Sequence, residues 1–184
     1  MKDYDEKPII KALRENRDED AIRLIRKALK SCPDSHWLWM SLSSAYYELR
    51  KYRLAVRYAW KAIDLAPNCT YAIWYYGTAL DMMGRHFNDA TAIDTAESTF
   101  KGLIGFGWKC LATAVPCGEG EFRTKAILND ARYRLALIYF HKQDYKSALR
   151  WIKLHLRMRG NRSGSIYSKS QVQKDLQKIE AAKG

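Results

Sequence analysis

Ala21, Ile22, Arg23, Lys27, Ala28, Leu29 and Pro33 recur as Ala55, Val56, Arg57, Lys61, Ala62, Ile63 and Pro67. Each match lies one 34-residue period further along the chain. A sequence that repeats at this spacing consists of small supersecondary units, none of which can bury its apolar face alone. Neighbouring units must stack to make a core. Ala55 and Ala62 are seven residues apart and so share one face of a helix, where small side chains let a second helix approach closely. Pro67 cannot continue that helix and turns the chain into the next unit. The period therefore predicts paired helices stacked in a row.

The unit beginning at His36 resembles the tetratricopeptide repeat family, whose pattern runs W-x2-L-G-x2-Y, then A-x3-F-x2-A and a proline. Trp39, Leu42, Tyr46, Ala55, Ala62 and Pro67 match it. Ser43 stands where a glycine is usual, and Ala59 replaces the aromatic. The next unit, from Thr70, keeps Gly77 and Gly84 and reads as carrying one extra residue before Ala90. The last, from Asn129, has Leu135, Ala136, Tyr139, "QDY" and Ala148, while the first keeps only Ala12 and Leu13 in its opening helix.

The resemblance implies an all-α, right-handed superhelical solenoid of helix–turn–helix repeats. It places one domain over 1–184, with repeats at about 2–35, 36–69, 70–103 and 129–162. Between the last two lies an inserted segment, 104–128, whose "IGFGWKCLATAVPCGEGEF" is Gly-broken and apolar and closes on a turn. A helix leading into it is expected from about Asn88, with Asn88 as its N-cap. A long helix is expected from about Glu119 through Lys142. A capping helix over about 168–182 carries Val172, Leu176 and Ile179 at helical spacing behind Ser168 or Ser170.

Several functions are disfavoured. No apolar run reaches the about 18 residues that span a bilayer, and the N-terminus lacks an apolar signal core, so a cytoplasmic protein is expected. Cys32, Cys69, Cys110 and Cys117 are expected as thiols, because six residues between the last two do not make a zinc pair. Cys117, Glu119 and Glu121 have no histidine near them in sequence, so an inserted packing element is preferred to Cys-His chemistry. No metal, cofactor or catalytic activity is expected.

The net charge of +12 is concentrated at one end, with thirteen bases against four acids in 129–184. Such a surface favours anionic partners. Arg53, Arg57 and Lys61, with Lys146, Arg150, Lys153 and Arg157, fall on the second helices, giving a basic outer face ahead of Arg159 and Arg162.

In the family the first helix of each repeat lines the concave surface, through positions 2, 5, 9, 12 and 13. These positions supply the candidate groove: Trp37, Met40, Ser44 and Tyr47, then Tyr71, Trp74, Thr78 and Asp81, then Tyr133 and Phe140. Glu48, Met82, Asp130, Leu137 and His141 occupy the remaining inward places. Trp39, Leu42 and Tyr46 are assigned to packing. Rings on a concave face offer large contact area at small entropic cost. The family's carboxylate clamp is not matched, since positions 5 and 9 hold Met40, Ser44, Trp74 and Thr78. The expected function is a protein-interaction module that holds a peptide or helix in an aromatic-lined groove, with an acidic partner favoured by charge. Alternatives are a nucleic-acid adaptor using the basic face and a secretion-type chaperone. A homodimer is left open.

Overall fold

The computed structural model describes residues 4–113, 120–160 and 164–183. Those residues form an all-α solenoid: α1 (Glu6–Arg14), α2 (Asp18–Ser31), α3 (His36–Glu48), α4 (Tyr52–Leu65), α5 (Thr70–Phe87), α6 (Ala90–Thr113), α7 (Gly120–His141), α8 (Tyr145–Gly160) and α9 (Lys169–Lys183). Consecutive helices pack on each other, and α5 also touches α3 and α7, so these three helices line one side.

One turn is used four times. Asn16, Arg50, Asn88 and Gln143 have φ between 54 and 61°, the left-handed conformation that ends a helix. The next N–H in each case returns to a carbonyl five residues back: Arg17 to Ala12, Lys51 to Tyr46, Asp89 to Gly84 and Asp144 to Tyr139, at 2.8–2.9 Å. This Schellman closure satisfies helix-end carbonyls and reverses the chain within two residues. Asn16 and Arg50 are one period apart, whereas Asn88 comes four residues later than the period places it. The added length goes into α5, with 18 residues against 13 in α3. Asn88 is thus the left-handed C-cap of α5 rather than an N-cap. Asp89 caps α6, its carboxylate accepting the Ala92 N–H at 3.1 Å.

Small residues set the pairing within units. Ser43 is fully buried, and its hydroxyl donates to the Ala55 carbonyl at 2.8 Å, fastening α3 to α4. Gly77 holds the equivalent place in α5, where a Cβ would stand 2.9 Å from the Phe100 ring.

The apolar stretch after residue 103 is helical on both sides of a glycine break: the first part of α6 runs on past Leu103, the backbone leaves the helical region at Gly107 (φ 72°, ψ 158°), and a second helical piece ends at Thr113. Leu103 is buried and Ile104 packs beside it on the core shared with α7. That burial offsets the about 1 kcal/mol that each of Gly102 and Gly105 costs a helix. Cys117 and Glu119 lie outside the described residues, and Glu121 is exposed and paired with Lys125.

At the far end Ser168 accepts the Gln171 N–H at 3.1 Å and starts α9. Val172 and Ile179 are fully buried against Tyr133, Ala136, Ala148 and Ile152, closing the last apolar face.

Candidate functional site

Two cavities lie along the side formed by α3, α5 and α7. The first, about 290 Å³, is lined by Leu13, Trp37, Met40, Ser41, Tyr71, Tyr75 and Arg123. The second, about 270 Å³, is lined by Ser44, Tyr47, Glu48, Trp74, Tyr75, Thr78, Arg134, Ile166 and Tyr167. Tyr75 belongs to both, so they form one interrupted channel.

Of the expected groove residues, Trp37, Met40 and Tyr71 meet at the first cavity and Ser44, Tyr47, Trp74 and Thr78 at the second. Asp81, Tyr133 and Phe140 line neither. Asp81 is fully buried, holding Arg85 at 2.7 Å and Arg134 of α7 at 2.6 Å. Phe140 packs with Tyr145, ring centroids 6.0 Å apart, in the cluster under α9. Tyr133 is buried beneath the Tyr167 ring, 4.5 Å between centroids, and donates its hydroxyl to Asp175.

Residues beyond the expected set complete the channel, and three share one position. Ser41, Tyr75 and Arg134 are each sixth in their repeat's first helix, four residues after position 2. Side chains four apart stand on the same helix face, so helical phase alone adds them. The segment 164–167 carries no such signal, because its place depends on tertiary contacts.

The electrostatics separate structural charges from exposed ones. Burial opposes the charge on Arg134, but Asp81 beside it outweighs this and raises its pKa. Glu48 is raised by partial burial and by the nearby Asp18. Burial raises Tyr47, and also Tyr75, which the Ser44 hydroxyl holds by a hydrogen bond. Trp74 Nε1, Thr78 Oγ1 and Arg134 Nε are buried along the second cavity without a hydrogen-bond partner among the described residues.

The channel is fastened by its own chain at both ends. Tyr4 stacks on Trp37 at 6.2 Å and bonds Ser35. At the other end, residues 164–167 cross α7 as a strap. Asp130, fully buried, accepts the Ser165 hydroxyl and, at 3.0 Å, the Ile166 N–H. Arg159 donates to the Tyr167 carbonyl at 2.7 Å. Burial pushes the Asp130 carboxyl up to about 6, against the lowering effect of these donors and of Arg159.

The basic outer residues Arg53, Arg57, Lys61, Lys146, Arg150, Lys153 and Arg157 are all exposed. Lys61 pairs with Asp64 at 3.0 Å and Lys153 with Glu180 at 3.3 Å, while Arg53 lies over Phe87 and Arg150 over Trp151. Arg162 is outside the described residues. The described residues contain no group of three metal-ligating side chains, and none of their helices is long and apolar enough to cross a membrane.

Stacked helical hairpins with a lined inner channel define a helical-repeat solenoid. Residues 38–69 match the family model for the tetratricopeptide repeat. A crystal structure of MamA protein has the same fold at TM-score 0.64 and 16% identity, over 97% of this chain and 80% of that one. A second MamA crystal structure aligns at TM-score 0.42 and 17% identity, over 83% of this chain and 95% of that one. No curated protein matches in sequence.

Proposed function

We propose that the chain is a non-catalytic protein-interaction module that holds a segment of a partner polypeptide in the channel along α3, α5 and α7. The observation that carries this reading is the pair of joined cavities walled by Trp37, Tyr71, Tyr75, Tyr47 and Trp74. A repeat solenoid presents its inner side as an extended binding surface, and large rings with polar tips supply most of the energy at such surfaces. The charges beneath the channel, Asp81 with Arg85 and Arg134, fasten helices together. That use argues for a scaffold rather than an enzyme.

The test is capture of a polypeptide from native lysate by wild type, Tyr47→Ala and Tyr71→Ala, with and without nuclease. Both rings are half-buried, so helicity should persist. The expected result is a nuclease-insensitive polypeptide on the wild type, reduced at least tenfold by either substitution, corresponding to about 1.4 kcal/mol. Equal capture by all three would remove the channel from the function. Nuclease-sensitive material on all three would move it to the basic outer face, where binding to phosphates falls steeply with salt.

A further inference from the structure

We propose that the strap 164–167 is an internal stand-in for the partner. On this proposal the partner is a polypeptide segment that gives a main-chain N–H to Asp130 and lays an aromatic ring on Tyr133. The inference rests on the channel being a protein-binding site and specifies its chemistry.

The strap is held through its backbone and its side chains alike. Asp130 takes the Ile166 N–H, and Arg159 donates to the Tyr167 carbonyl. An acceptor and a donor placed to take the N–H of one residue and the carbonyl of the next hold a polypeptide by its main chain, whatever its sequence. Selectivity comes from side-chain contacts, among them a hydrogen bond between Tyr167 and Arg134. The Ser165 hydroxyl meets the other oxygen of Asp130, and the Tyr167 ring packs on Tyr133. Asp130 is a fully buried carboxylate with no ion pair among the described residues, and the strap supplies both of the hydrogen bonds it accepts there. Burying a charge in this way is costly unless such donors are present. The carboxylate therefore requires donors beside it, and the strap supplies them.

The strap is also an incomplete ligand. Ile166 remains 64% exposed, although it stands at the wall of the second cavity. An incoming segment that continued past Asp130 into that cavity would bury apolar area the strap leaves in water. Its carbonyls would also meet the unpartnered Trp74 Nε1 and Thr78 Oγ1 once the cavity opened around it. Strap and partner therefore compete for Asp130, Arg159 and Tyr133. The strap holds the advantage of a tethered ligand, whose effective concentration is of millimolar order. Apparent affinity for a partner is reduced by the fraction of molecules with the strap released.

The probe is a terminally blocked, fluorescently labelled peptide with the sequence of residues 162–169, RSGSIYSK. Its binding is followed by anisotropy on the full chain. Ile166→Pro removes the N–H that Asp130 accepts while leaving Tyr167 in place; Ser165→Gly is a second, milder way to loosen the strap. Folding of each is verified by helicity. The peptide should bind either variant at least tenfold more tightly than wild type, and adding Asp130→Ala should abolish the gain. A peptide carrying proline in place of its own isoleucine should not bind. Equal affinity for wild type and both loosened chains, or binding to none, would overturn the proposal. Peptide binding as expected alongside unchanged partner capture by Tyr47→Ala would instead fault the channel reading. Lost capture by Tyr47→Ala with no peptide binding would fault only the strap.

Discussion

Asp81 shows how one inward position can serve the fold instead of the surface. Its place in the repeat puts it on the concave side, yet α7 lies against it and its carboxylate is fully buried between Arg85 and Arg134. A buried ion pair adds little net stability over apolar packing, but removing one partner leaves the other charge stranded. Asp81→Ala should therefore destabilise the chain by about 3–5 kcal/mol in urea unfolding, because Arg134 is 7% exposed and cannot reach water. Adding Arg134→Met should restore most of that loss. A double variant as unstable as the single would show that the pair does more than neutralise itself. The sequence could place Asp81 inward because helical periodicity depends only on neighbours in its own helix. It could not show that Asp81 is covered, since Arg134 comes from a helix beyond the interruption of the repeat.

At the scale of elements, the readable parts were those fixed by local chemistry. Small residues at Ala55, Ala59 and Ala62, and the proline after α4, dictate a helix with one close-packed face, and it forms as expected. The helical run of α6 through Gly102 and Gly105 was not readable, because glycines argue against a helix and only the packing of Leu103 and Ile104 offsets them, whereas Gly107 does break it. The first half of α6 is also joined to α7 by a polar contact centred on Glu97. Its carboxylate accepts bonds from Lys101 on its own helix and from Tyr139 and Lys142 on α7, each at 2.5–2.6 Å, and Lys142 also reaches Asp94. Burial would raise the Glu97 pKa, but these three donors outweigh it and hold the group at about 2. A carboxyl depressed by folding contributes stability that is present above its ordinary pKa, near 4.5, and is lost as pH falls toward 2. Glu97→Gln should lower stability by about 1–2 kcal/mol at pH 7, the partly exposed lysines limiting the effect. The difference should shrink steadily below pH 4.5 in urea midpoints taken across the acid range. A pH-independent difference would mean that shape rather than charge joins these helices there.

Over the whole molecule, the period announces the architecture but not its ends, since a repeat specifies the neighbour of each inner unit and is silent on how the last one is closed. The strap and α9 do this together: α9 buries Val172 and Ile179 on α7 and α8, and the strap fills the adjoining end of the channel. In a solenoid each unit draws its stability from itself and its immediate neighbours. Removing the chain after residue 160 should accordingly act locally. Losing the contacts of two fully buried aliphatic side chains costs about 3–6 kcal/mol at most, and this loss falls on α7 and α8. Amide exchange should show protection lost along α8 and the second half of α7, while α3 and α4, two units away, keep theirs. The exposed Tyr133 and Ile152 would give the truncated chain a new apolar end and a tendency to associate. Uniform loss of protection from α1 to α8 would show instead that the chain unfolds as a single cooperative body. The channel would then depend on its cap along its full length, and a segment that displaced the strap would be felt at Trp37 as well as at Tyr133.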